Sequence, residues 1–174
     1  MSDSAKLSRR ELLRASASAA GGAAVSYYVS SRALGDENKP GANEKIHVGV
    51  IGCGGMGRGN LANCAKHDDV AVTAACDIWK ERVDKVVEKY KPSCKAYHDY
   101  RDLLAQDDVD AVIIATPPHW HTLNAIDACK AGKDIYLQKP MTLTLGESLA
   151  VKGAVRKHNV ISQVGTQIHA SENY

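Results

Sequence analysis

The chain has 174 residues, room for one hydrophobic core of ordinary size and too little for a two-domain enzyme. Its 22 Lys and Arg against 20 Asp and Glu give a formal net charge of +2, and no basic stripe points to nucleic acid. The excess is local: residues 1–35 carry five basic and two acidic residues, leaving 17 basic against 18 acidic beyond them. Cys53, Cys64, Cys76, Cys94 and Cys129 are an odd set with no C-x-x-C spacing. That argues against a zinc site and against a disulfide framework, so the cysteines read as small buried residues, Cys53 as filler in a glycine turn, and no metal is expected.

Residues 1–34 read as an export signal. Ser8-Arg9-Arg10-Glu11-Leu12-Leu13-Arg14 precedes a mildly apolar, small-residue run over 15–29, too short and too weakly apolar for a stable membrane span. The segment resembles a twin-arginine secretion signal with Arg9 and Arg10 as the pair, which implies passage through the twin-arginine export machinery to a periplasmic or otherwise exported location. Cleavage is placed after Ala33. The bland alternative is a basic helix start on a disordered tail. Residues 35–44, rich in Gly, Asn, Pro and charge, read as a linker.

The strand 46–51 leads into Gly52-Cys53-Gly54-Gly55-Met56-Gly57, a helix over 55–66, a second strand over 71–76 and then Asp77. This is the layout of a dinucleotide-binding βαβ unit. Gly52 makes the tight turn, Gly54 lets the backbone approach a pyrophosphate, and Gly57 lets the helix pack on the sheet. The pyrophosphate is expected at the helix N-terminus, along the backbone of Gly54, Gly55 and Met56, where free N–H groups and the helix dipole favour an anion. Asp77, about 20 residues past the last glycine, is placed to accept the adenosine ribose hydroxyls, favouring NAD over NADP. Lys80 and Arg82 are read as solvated helix charge.

The next helix, 79–91, carries Val83, Val86, Val87 and Tyr90 as one apolar stripe and ends at Pro92. A short strand at 95–97 and a short helix at 100–106 follow. Residues 111–115 form a continuous apolar run, as a central parallel strand requires. A helix over 119–131 stops at Gly132, a left-handed cap. A strand at 134–137, a helix over 145–158 and a last strand at 160–164 complete the pattern. Strands alternating with helices specify an α/β, doubly wound, mostly parallel six-stranded Rossmann sheet over 45–165, in the order 3-2-1-4-5-6.

Ligands bind such sheets beyond the carboxyl ends of the strands, so three loops stand out: Thr116-Pro117-Pro118-His119-Trp120-His121, Gln138-Lys139-Pro140 and Gly165-Thr166-Gln167. The glycine fingerprint, the Ala-Thr-Pro-Pro-His-x-His segment and the Leu-Gln-Lys-Pro segment, in this order and spacing, resemble the N-terminal half of the Gfo/Idh/MocA oxidoreductases. The resemblance covers about residues 45–170. It implies a nicotinamide-dependent transfer of hydride at a sugar or cyclitol hydroxyl, with Lys139 as catalytic residue beside the nicotinamide and substrate. There an ammonium hydrogen-bonds a substrate hydroxyl and favours alkoxide character. Pro140 fixes the loop, a cis bond being one way. Gln138 replaces the usual Glu of the family, removing a carboxylate beside the lysine while keeping a hydrogen-bonding group for the nicotinamide ribose. Thr116 and Pro117 match the loop under that ribose, and His121 matches a position that caps the next helix and approaches the cofactor. Capping and packing remain the alternative for His121 and, more so, for His119.

The resemblance further implies a second α/β domain after the sixth strand and a homo-oligomeric parent enzyme. Residues 166–174 are then the start of that domain, and this chain is the nucleotide-binding half, inactive alone. Two other readings stay open: an NAD-dependent glycoside hydrolase acting by transient oxidation, and a non-catalytic nucleotide-binding module.

Overall fold

The computed structural model describes residues 44–166. The stretch read as an export signal, most of that read as a linker, and Gln167 onward lie outside the described residues. Six strands alternate with five helices: β1 (Ile46–Ile51), α1 (Gly55–Cys64), β2 (Val70–Cys76), α2 (Lys80–Lys89), β3 (Lys95–Tyr97), α3 (Tyr100–Leu104), β4 (Ala111–Ile114), α4 (Pro118–Lys130), β5 (Asp134–Gln138), α5 (Leu145–His158) and β6 (Ser162–Gly165). All neighbouring strands pair in parallel in the order β3-β2-β1-β4-β5-β6, the expected one. The order reverses between β1 and β4, which opens a crevice at their carboxyl ends.

Each face of the sheet has its own core because side chains alternate along the strands. Val48, Val50, Val72 and Ile113 pack with Leu61 of α1 and with Val83 and Val86 of α2. On the other face Ile51, Val112, Ile114 and Leu137 pack with Leu103 of α3, Ala125 and Ala128 of α4, and Val151 of α5. Val50, Leu61, Leu103 and Ile114 are fully buried, and each such side chain contributes about 1.5–3 kcal/mol. The stripe read on α2 is real, with Val87 and Tyr90 partly buried beside Val83 and Val86. Cys53, Cys76, Cys94 and Cys129 are buried, Cys64 is half-buried, and all five are free thiols.

Helix ends follow their local chemistry. Thr144 and Glu147 form a reciprocal capping box at the start of α5, and Asn159 closes it in the left-handed region at φ 52°. Gly132, after α4, has φ +70°, the left-handed stop expected from its sequence. Several ends differ from expectation by one or two residues, and two of them show their cause. The last strand starts at Ser162 rather than 160, because the Val160 N–H closes onto Val155 O and the Ile161 N–H is taken by the Asp134 carboxylate. Helix α1 stops at Cys64, after which the N–H groups of Lys66 and His67 turn back onto Asn63 and Cys64. Among the described residues no helix is long and apolar enough to cross a membrane.

Candidate functional site

The glycine turn is built by sterics that can be checked atom by atom. Gly52 has φ +95°, and its N–H donates to Cys76 O at 2.8 Å. A Cβ there would lie 2.6–2.7 Å from the Ala115 carbonyl and Thr116 nitrogen, so only glycine lets the β1 and β4 crossovers touch. A Cβ on Gly57 would lie 1.9 Å from Gly52 O, so α1 meets the turn with no side chain between them. Gly54 is different: a Cβ there meets only the Arg82 guanidinium, at 3.8 Å, and one on Gly55 meets nothing within 4 Å. The protein side thus demands Gly52 and Gly57 and leaves the space over Gly54 and Gly55 open.

That open space lies at the start of α1. Its N-cap, Gly54, has no side chain to accept a hydrogen bond, and no acid stands in the first turn. The leading N–H groups and the positive end of the helix dipole are therefore available to an anion. Met56, beside them, is exposed.

Asp77 follows β2 and does more than wait for a ribose. Its Oδ2 accepts the Cys53 N–H at 2.8 Å and its Oδ1 accepts the Trp79 N–H at 3.0 Å. The carboxylate ties the glycine turn to the entry of α2, and each oxygen keeps lone-pair capacity for a hydroxyl donor. Burial, then the Asp77 charge, push the Cys53 thiol up to about 12. That thiol is an unreactive filler.

The β4 and β5 loops are joined through one side chain. His121, in the first turns of α4, is 1% exposed. Its Nδ1 lies 2.7 Å from Pro140 O and its Nε2 2.8 Å from Thr116 O. A neutral ring donates one of these bonds and a doubly protonated ring both. The Thr116 hydroxyl in turn donates to Oδ1 of the buried Asn124 at 2.9 Å. His121 thus reaches the cofactor loops through their backbone, and the adjacent His119 takes no part in the clamp. Pro117 is the N-cap of α4, and Pro118 occupies its first turn, where a missing N–H costs nothing.

On the β5 loop Gln138 is 5% exposed and its Oε1 accepts the Lys139 N–H at 2.6 Å. The Lys139–Pro140 bond is cis, and Lys139 is exposed. A Cβ on Gly165 would lie 2.7 Å from the Tyr136 hydroxyl and 3.0 Å from Gln138 Oε1, so the end of β6 presses directly on the base of this loop.

Sequence reasoning passed over Asn124, which lies eight residues beyond its partner Thr116, and it assigned Arg82 to solvent. Arg82 is instead half-buried, its guanidinium carbon 4.3 Å from the Trp79 ring centroid. Lys80 is a solvated charge as expected, paired with Asp84.

A parallel sheet with a glycine turn at its switch point, an uncapped helix N-terminus above it and an acid at the next strand end defines a dinucleotide-binding Rossmann unit. The residues present fit an NAD: a cradle open over Gly54 and Gly55, unclaimed N–H groups at α1, and Asp77 at the ribose position. Residues 46–166 match the GFO_IDH_MocA family, "Oxidoreductase family, NAD-binding Rossmann fold", and the chain belongs to that family. It is 34% identical over 154 residues to a "Glycosyl hydrolase family 109 protein" of Solibacter usitatus, covering 82% of this chain and 35% of that one. The chain thus spans about a third of the length of the curated relatives it matches. An NAD-binding protein from Listeria innocua shares 32% identity at a TM-score of 0.68, covering 74% of this chain and 37% of that one. Scyllo-inositol dehydrogenase from Lactobacillus casei, solved with bound NAD(H) and scyllo-inositol, shares the fold at a TM-score of 0.70 and 24% identity, covering 75% and 38%.

Proposed function

We propose that this chain is the cofactor-binding half of an oxidoreductase that moves hydride between a nicotinamide and a carbinol carbon of a sugar or cyclitol. The observation that carries the reading is the placement of Lys139. Its loop leaves the carboxyl end of β5, is fixed by Gln138 and is clamped through His121 to the loop after β4. NAD, when bound, supplies the hydride acceptor. The chain's own residues would orient it and present an ammonium that donates to the substrate hydroxyl oxygen, stabilising alkoxide character as the hydroxyl proton leaves to solvent water and the C–H bond gives up hydride to the nicotinamide. With glutamine at 138, no carboxylate precedes Lys139 on this loop.

The test is NAD reduction by the full-length protein on a panel of polyols and aldoses. The expected outcome is turnover with at least one of them. Lys139→Ala is expected to lower kcat by about 10²-fold or more while NAD still binds. Absence of any nicotinamide turnover, or full activity in Lys139→Ala, overturns the reading. The similarity to a glycosyl hydrolase family 109 protein favours a second one, glycoside cleavage with the cofactor oxidised and restored in each cycle. Release of sugar without net NADH is its signature.

A further inference from the structure

The α2 entrance holds an arrangement that the acid-and-glycine description leaves unused. Arg82 sits in the first turn of α2, three residues beyond Trp79, with its guanidinium stacked on the indole. Among the described residues its Nη1 is the one atom outside the turn within 4 Å of the point where a Cβ of Gly54 would be. Among the described residues Arg82 has no ion pair and no side-chain hydrogen bond. The two nearest cations in sequence differ: Lys80 is paired with Asp84, and Lys85 lines a groove between α1 and α2 together with Arg58, Leu61 and Tyr90. Asp77, the acid of the site, has both oxygens on backbone N–H groups.

A half-buried guanidinium with a full set of donors is therefore held beside the glycine turn, facing a helix start that lacks both a capping side chain and an acid. Stacking on Trp79 fixes its plane at low entropic cost, and the Trp79 N–H is itself anchored on Asp77. An anion lying over Gly54 would take N–H groups of α1 on one side and the guanidinium on the other.

We propose that Arg82, stacked on Trp79, is a phosphate-binding residue of the cofactor site that grips the diphosphate of NAD from the side opposite the start of α1. The inference rests on the NAD-binding reading of the glycine turn. It assigns Arg82 to the diphosphate rather than to a 2′-phosphate, because the guanidinium lies against Gly54, whereas Asp77 occupies the ribose position. Trp79 acts as a positioning residue.

The test is calorimetric titration of the full-length protein and its Arg82→Ala, Arg82→Lys and Trp79→Ala variants with NAD, ADP, adenosine and 2′,5′-ADP at two salt concentrations. Circular dichroism confirms that each variant is folded. Arg82→Ala is expected to weaken NAD and ADP by about ten- to a hundredfold, the scale of a charge-assisted contact, and to leave adenosine unchanged. The salt dependence of ADP binding should fall with it. Arg82→Lys should restore part of the loss, and Trp79→Ala should weaken ADP less than Arg82→Ala does. If the parent protein binds ADP and Arg82→Ala binds it equally well, the assignment of Arg82 is overturned and the cofactor site stands. A loss confined to 2′,5′-ADP also overturns it, placing Arg82 at the ribose. Failure of the parent protein to bind either ADP or NAD overturns the cofactor reading itself.

Discussion

At the scale of single residues the glycines of the turn separate into two kinds, and the separation is measurable. Gly57 faces Gly52 O at 1.9 Å from a would-be Cβ, backbone that has nowhere to go. Gly57→Ala is expected to destabilise the fold by about 3 kcal/mol or more, read as a lowered denaturation midpoint at unchanged slope. Gly54→Ala meets only the tip of Arg82. It should leave stability within about 0.5 kcal/mol and weaken NAD binding by about tenfold or more, because its methyl projects into the space kept for the phosphates. Both glycines were legible in the sequence, since the spacing of the fingerprint assigns each a steric duty. Arg82 was not, because a basic residue three positions from a tryptophan looks the same in sequence whether it stacks or is solvated. Nor did the spacing from Gly57 to Asp77 disclose that the carboxylate also accepts the Cys53 N–H.

At the scale of elements the sequence pattern announced each strand and helix of the described residues, and the errors fell at ends. Val160 and Ile161 are apolar and β-branched, so they read as strand. Their N–H groups finish α5 and meet Asp134 instead, a matter of hydrogen-bond partners that hydrophobicity does not encode. The tie between the β4 and β5 loops was likewise illegible, because His121 and Pro140 are distant in sequence and meet only through the parallel pairing of their strands. Replacing the ring tests that tie. His121→Ala removes the buried ring that bridges the Pro140 and Thr116 carbonyls, and the expected cost of the lost bond and the cavity is about 2–4 kcal/mol. Amide hydrogen exchange should quicken at residues 115–116 and 138–141 together, with the β2–α2 turn unaffected. Quickening in only one of the two loops would show that they are held independently.

At the scale of the whole molecule the core is rich in protonated groups that resist losing their protons. Burial raises the thiols of Cys53 and Cys76 from 9.0 to about 12 and that of Cys94 to about 11, with Asp77 adding to the first two. Tyr100 goes from 10.0 to about 12, through burial and then its hydrogen bond to Asp127. The unfolded chain releases these protons at lower pH than the folded one, so alkali favours unfolding. Their contribution is intact below pH 9 and is lost as pH rises from 9 toward 12. A denaturation midpoint that falls over that window, and falls less in a Cys76→Ser variant, is the expected result. The same acid that raises two of those thiols braces the nucleotide turn from beneath. Redesigning the chain to prefer a phosphorylated coenzyme by deleting Asp77 therefore removes a structural strut along with an electrostatic veto. An isosteric amide keeps an oxygen for the Cys53 N–H but turns its NH2 toward the Trp79 N–H, so even that change gives up half of the strut.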